Sequence, residues 1–219
     1  MYILYHAPGS SSMAVHIALH EVGAAFESRA IRFTQRDQDP PEFRALHPEG
    51  KVPTLVMDGR ALTEVAAILY YLARRYTEAK LLPSGDIEAE AQVISWMSFI
   101  ASSLHPARRQ GIDHARAMYR LADERLGDQR LADQRLADQR LADQRLADPA
   151  SGDRGWAVGG TYSIADIHLF RLFWRFRGSL GADPATFPNL SAHHDRMMQR
   201  PAVRKTFEAE SALGYDLPA

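Results

Sequence analysis

The sequence predicts an α/β module over residues 1–78 followed by an all-helical region over 87–219, and three observations carry that reading. Strand-type and helix-type segments alternate at short spacing between Tyr2 and Ile31. An Asp58-Gly59 turn joins two extended segments, which is a strong hairpin signal. After Asp86 no segment reads as a strand, while helical patterns recur.

The elements follow in order. Tyr2 to Tyr5 is short, aromatic and aliphatic, and reads as a strand. Pro8-Gly9 makes a turn, three serines follow, and Ser12 to Glu21 is free of Gly and Pro, as a helix requires. Any of Ser10, Ser11 or Ser12 can serve as the N-cap, because a hydroxyl satisfies an orphan N–H. Phe26 to Ile31 reads as a second strand, and a strand–helix–strand unit at this spacing makes its strands parallel. Pro40 to His47 is a short helix or turn. Lys51 to Met57 is a strand entered through Pro53, and Arg60-Ala61-Leu62 is its returning partner. Glu64 to Arg75 is a helix whose Val65, Ile68, Leu69 and Leu72 fall at i, i+3, i+4 and i+7.

Tyr76 to Asp86, with Pro83 and Gly85, reads as a linker. Ile87 to Leu104 is helical, as is the chain from Ile112 onward. Ser163-Ile164-Ala165-Asp166 is a capping signature, with Tyr162 and Ile167 placed for a hydrophobic staple. The helix behind it, through Phe176, is apolar nearly all round and belongs at a domain centre. Phe187-Pro188 opens another helix, and Arg200-Pro201 separates it from a last short one.

Residues 120–149 are six tandem pentapeptides built on Arg-Leu-Ala-Asp-Gln, with a glycine, Gly127, in the alanine position of the second. A period of five advances about 140° per unit on a helix of 3.6 residues per turn. Leu121, Leu126, Leu131, Leu136, Leu141 and Leu146 therefore spiral round the helix, and the segment cannot be a core element along its whole length. It reads as an expanded repeat, helical or frayed and mostly solvated, with no chemistry. A partner-binding arm or a dimer contact is the alternative, although each charge-neutral unit argues against a nucleic-acid arm.

Composition excludes several functions. The net charge of −1 offers no basic excess for nucleic acid. No apolar run reaches the roughly 18 residues of a membrane helix, and the start lacks the pattern of a signal peptide, so a cytoplasmic protein is expected. With no cysteine, disulfides, thiolate metal sites and a cysteine nucleophile are all excluded. Any thiol chemistry must use a thiol brought by the ligand.

Three features converge on a site. The turn Pro8-Gly9-Ser10-Ser11-Ser12 opens a helix whose N–H groups and partial positive charge suit an anion, and a serine hydroxyl there can stabilise a bound thiolate. Plain N-capping is the alternative, and it needs only one serine. Val52-Pro53 precedes a strand, where a cis proline would turn the backbone toward a ligand. Thr63-Glu64-Val65 begins a helix and can hold a carboxylate on its N–H groups and an ammonium on Glu64, or simply offset the helix dipole. His16 and His20 lie four apart on a helix without a third ligand in sequence, so a surface or packing role is expected of them and no metal.

The stretches "YHAPGSSSMAVHIALHE", "PEGKVPTLVMDGRALTEVAAILYYLA", "YSIADIHLFR" and "FPNLSAHHDRMMQRPAV" together resemble the bacterial glutathione S-transferases, nearest the beta class, over nearly the whole chain outside 120–152. The resemblance implies a thioredoxin-like N-terminal domain, an all-helical C-terminal domain, a homodimer and bound glutathione, its electrophile held in an apolar pocket of the helical domain. It implies that Val52 pairs its backbone with the cysteinyl group beside a cis Pro53. Glu64 and Val65 hold the γ-glutamyl end, Lys51 meets the glycyl carboxylate, and His105 reaches the site from the helical domain. The family typically has lysine after that histidine, where this chain has Pro106. Beta-class enzymes typically read Pro-Gly-Ala-Cys-Ser in the turn, and Ser11 stands at the cysteine position. The redox role is thus closed, and activation of the glutathione thiol by a hydroxyl is the expectation: Ser11 first, then Ser10 and Ser12, with Tyr5 a weaker candidate. Conjugation of glutathione to an electrophile is the expected reaction. A glutathione-dependent isomerase of the maleylacetoacetate type and a non-catalytic binding protein are the alternatives.

Overall fold

A computed structural model describes residues 1–32, 39–143, 155–158, 160–180 and 183–214, without the side chains of 129–143 and 180. The chain divides into two compact units, Met1–Ala79 with Met198–Ala219, and Lys80–Met197.

The first unit is built on a four-stranded sheet of order β2-β1-β3-β4, with β1 at Tyr2–His6, β2 at Phe26–Ala30, β3 at Thr54–Met57 and β4 at Arg60–Thr63. β1 and β2 run parallel through the intervening helix α1, Ser12–Glu21, as the strand–helix–strand spacing requires. β3 is antiparallel to β1, and β4 returns antiparallel to β3 through the Asp58-Gly59 turn, where both residues take positive φ. A short helix α2, Pro41–Leu46, contributes Phe43, whose ring stacks on Tyr5 at 4.8 Å. Helix α3, Val65–Arg75, turns Val65, Ile68, Leu69 and Leu72 inward. This is the thioredoxin-like arrangement that the resemblance implied.

The last helix, α8 at Pro201–Ser211, departs from the expected domain boundary, since it groups with the first unit and packs on α1. Its buried residues, Ala202, Val203, Thr206 and Glu210, form one stripe, and that stripe is what α1 covers. Enclosed by neighbours, α1 is buried nearly all round, from Ser12 to Leu19.

The second unit is helical, with α4 at Ile87–Phe99, α5 at Ile112–Asp143, α6 at Ile164–Leu180 and α7 at Pro188–Met198. α4 runs on into a π-helical turn, Ile100–Leu104, so the single helix expected there changes its winding just before His105. α6 is the buried centre: Ile167, Leu169, Phe170, Phe173 and Trp174 are all enclosed. Its start is a reciprocal box in which the Asp166 carboxylate accepts from Ser163 N at 2.8 Å, while Ser163 Oγ accepts from Ala165 N at 3.3 Å. Asp166 also accepts from Ala157 N at 2.7 Å and pairs with His193 Nε2 at 3.0 Å, so it anchors a loop and α7 as well.

The start of the pentapeptide segment is tied to the core at a few positions. Helix α5 continues through the segment to Asp143, and its first two units place Ala122, Asp123 and Leu126 in the core. Ala122 and Leu126 are fully buried while Leu121 is 47% exposed, which is the spiral that a period of five produces. Asp123 reaches α7, accepting from Leu190 N at 2.8 Å and from Asn189 Nδ2 at 3.1 Å. Gly127 lies one turn on, and a Cβ there would stand 2.7 Å from Asn189 Nδ2. Alanine fills this position in the other units, and Asn189 explains why the second unit has glycine. Residues 144–149 lie outside those described.

Candidate functional site

Strand register brings the three predicted segments to one end of the sheet. Tyr5 pairs with Thr54, and Thr54 with Thr63, so the end of β1, the start of β3 and the end of β4 are neighbours. The serine turn, Val52-Pro53 and Glu64-Val65 project from those three ends. The Val52–Pro53 peptide is cis.

The hydroxyls of the turn have different duties. Ser12 is fully buried. Its Oγ accepts from Ala7 N at 3.0 Å and donates to Ala7 O at 3.2 Å. Ser10 Oγ lies 2.8 Å from Ser12 Oγ, and it accepts from Ser12 N at 3.3 Å. One assignment satisfies all these contacts: Ser12 gives its proton to Ala7, and Ser10 gives its proton to Ser12. Both hydroxyls are then committed to the shape of the turn. Ser11 occupies the N-cap position of α1 with φ −58° and ψ −21°, yet its side chain makes no cap hydrogen bond. It donates instead across the site to Val52 O at 3.2 Å.

The turn is a weaker anion cradle than its sequence suggests. Gly9 N donates to Glu210 Oε2 at 2.8 Å, Ser10 N to Ala7 O at 3.0 Å and Met13 N to Ser10 O at 3.1 Å. These three amides are satisfied internally, and the Ser11 hydroxyl is engaged with Val52 O.

Glu64 caps α3 with φ 69° and ψ 122°, a backbone state that ordinary side chains rarely adopt and that costs on the order of 1–3 kcal/mol. It is exposed while Val65 is buried. Such a strained residue at the mouth of a site holds its backbone in a fixed direction. Lys51 is exposed and pairs with Glu49, whose carboxyl it holds below the usual range. Tyr5, the weaker hydroxyl candidate, is a core residue: its ring is 1% exposed, and its OH accepts from Arg29 at 3.1 Å. His105 belongs to the second unit and is exposed at the end of the π-helical turn.

Sequence reasoning missed Glu210. It is fully buried, and its carboxylate joins α8 to the turn at Gly9 and to His16 Nδ1 at 3.0 Å. Burial pushes its carboxyl up, but the His16 and His6 rings and the Gly9 N–H outweigh that and hold it below the usual range. The available signal was a glutamate on the apolar stripe of α8, at i+4 from Thr206.

Comparison with known proteins agrees with this architecture. Residues 4–80 match the family model of the glutathione S-transferase N-terminal domain, and residues 116–201 that of the C-terminal domain. The chain is 30% identical over 207 residues to glutathione S-transferase GST-4.5 of Xanthomonas campestris, covering 94% of this chain and 98% of the relative. It is 26% identical over 223 residues to a maleylacetoacetate isomerase of Pseudomonas aeruginosa, covering 100% of this chain and 99% of that one. The crystal structure of a beta-class glutathione S-transferase of Sphingomonas chungbukensis superposes with a TM-score of 0.69 at 33% identity, over 95% of this chain and 98% of that structure. With both domains matched and a relative of this identity along almost its full length, the chain belongs to the glutathione S-transferase family.

Proposed function

We propose that this protein is a transferase that binds glutathione at the end of its sheet and joins the glutathione sulfur to an electrophilic small molecule. The observation that carries the reading is the Ser11 Oγ contact to Val52 O at 3.2 Å. In this reading the cysteinyl group of glutathione pairs with the Val52 backbone beside Pro53, and its N–H takes over the Val52 carbonyl. That exchange releases the Ser11 hydroxyl, which then donates to the sulfur a few ångströms away and favours the thiolate. The thiol proton passes to solvent. The thiolate forms a carbon–sulfur bond with the electrophile, and the displaced group leaves with the bonding electron pair.

The remaining roles follow the shape of the tripeptide. The strained Glu64 and the backbone of Val65 hold the γ-glutamyl end, Glu64 facing its ammonium. Lys51 is the cation for the glycyl carboxylate, and it exchanges Glu49 for that ligand. His105 and an apolar pocket for the electrophile are what the family resemblance assigns to the helical domain. Ser10 and Ser12 shape the turn. A cytoplasmic homodimer is the expected working form, by analogy with the family.

The relationship to a maleylacetoacetate isomerase supports a second reading, in which the sulfur adds to a cis-enediketone, permits rotation, and leaves again. One pair of assays separates the two. Conjugation consumes glutathione when an activated aryl chloride is supplied, whereas isomerisation converts a cis-enediketone with no net consumption of glutathione. Turnover of the aryl chloride supports the transferase. Isomerisation alone moves the assignment to the second reading, and failure of the folded protein to bind glutathione at all overturns both.

A further inference from the structure

We propose that His6, His16 and Glu210 form a binding site for one divalent transition ion of the zinc class, buried in the first unit behind the serine turn. The three come from separate elements: His6 ends β1, His16 lies one turn into α1, and Glu210 is on α8. All are enclosed, at 1%, 2% and 0% exposure. One ligand atom from each falls within 4.8 Å of the others. Glu210 Oε1 is 3.0 Å from His16 Nδ1 and 3.7 Å from His6 Nδ1. Tetrahedral zinc, with bonds of about 2.0–2.1 Å, places its ligand atoms about 3.3–3.5 Å apart, so the two Glu210 separations need shifts of only a few tenths of an ångström, while the separation of the two rings, within 4.8 Å, must close by at most about 1.4 Å.

His6 is the independent observation. Both its ring nitrogens are buried and have no hydrogen-bond partner. A buried imidazole in that condition is destabilising, because its donor and acceptor have given up water for no more than a 3.7 Å approach to Glu210 Oε1. A hydrogen bond alone accounts for His16, which has Glu210. It does not account for His6, whose nearest carboxylate oxygen is too far for one. An ion between the three groups would satisfy His6, and it would replace the single proton now shared by His16 and Glu210.

The donor set fits this class of ion. Two imidazoles and one carboxylate suit zinc and its neighbours, and the absence of cysteine removes the softer choices. Glu210 would bind through Oε1 and keep Oε2 on Gly9 N, at 2.8 Å. Ligating carboxylates are commonly oriented by such an outer hydrogen bond. The edge of the cluster is His20, stacked on His16 at a centroid separation of 5.1 Å, its Nε2 also buried without a partner. Sequence spacing paired His16 with His20, whereas the fold pairs His16 with His6 and Glu210.

The test uses the full-length chain without an affinity tag, stripped with chelator. Cobalt(II) is titrated both onto the folded protein and during refolding, and the visible bands of low-coordinate cobalt are read; zinc is then added in competition. The decisive variant is His6→Phe, which keeps an aromatic ring against His16 and leaves both Glu210 hydrogen bonds in place. The expected result is one equivalent of cobalt, displaced by zinc, with affinity reduced by at least about 100-fold in His6→Phe. Two outcomes overturn the proposal: no saturable cobalt spectrum by either route, or wild-type affinity in His6→Phe. Neither readout depends on glutathione, so the result stands apart from the proposed transferase reaction.

Discussion

Replacing Ser11 by alanine isolates one hydrogen bond. The Ser11 side chain caps nothing and donates to Val52 O, so its loss leaves the Ser10–Ser12–Ala7 network intact. A hydrogen bond to a charged group contributes about 1.5–3 kcal/mol. One pKa unit corresponds to about 1.4 kcal/mol, so the bound glutathione thiol should rise by about 1–2 units in Ser11→Ala. At a pH below both values, kcat/KM then falls about 10- to 100-fold, and the two enzymes converge at high pH, where the thiolate forms unaided. The assay is conjugation rate against pH, with direct ultraviolet titration of the thiolate in the binary complex. Ser12→Ala is the contrast: it strips a buried hydroxyl from Ala7 and Ser10 and should chiefly lower thermal stability. An unchanged pH profile and rate in Ser11→Ala would refute the assignment and return attention to Ser10.

Other perturbations probe the scaffold. Leu126→Ala should destabilise the protein by about 2–5 kcal/mol, and Leu121→Ala by less than about 0.5, in denaturant titrations, because one leucine is fully buried and the other is 47% exposed. Gly127→Ala gains about 1 kcal/mol of helix propensity but displaces Asn189 from Asp123, so the net effect is a loss; in an Asn189→Ala background the same change should stabilise. His168 is fully enclosed, and burial, followed by the charges of His105 and Arg171, pushes it down from 6.5 to about 3. The unfolded chain therefore binds the extra proton first. Stability should fall by about 1.4 kcal/mol per unit as pH drops below 6.5, levelling near 3. Chemical denaturation at neutral pH and near pH 4.5, on the wild type and His168→Gln, should show a smaller acid loss in the variant.

The local elements were legible in the sequence because local physics makes them. Alternation and the Asp58-Gly59 turn determined the hairpin, the Ser163–Asp166 box determined where α6 starts, and apolar residues on every side of α6 determined that it lies at a centre. Three segments of the site could be named because each carries a short-range signal: a serine turn, a proline before a strand, and an acidic residue at a helix start. Tertiary structure decided the matters that depend on distant partners. It divided the three serines, since only contacts with Ala7 and Val52 distinguish hydroxyls that are adjacent in sequence. It placed α8 with the first unit, because an amphipathic stripe states that it must be covered but not by what. It drew Ala122, Asp123 and Leu126 of the first two pentapeptides into the core and gave Gly127 its reason in Asn189, 62 residues further along. It also set Glu210 against His6 and His16. A carboxylate on an apolar stripe is tolerable only with buried partners, and those partners lie about two hundred residues away in the chain, beyond the reach of any periodicity.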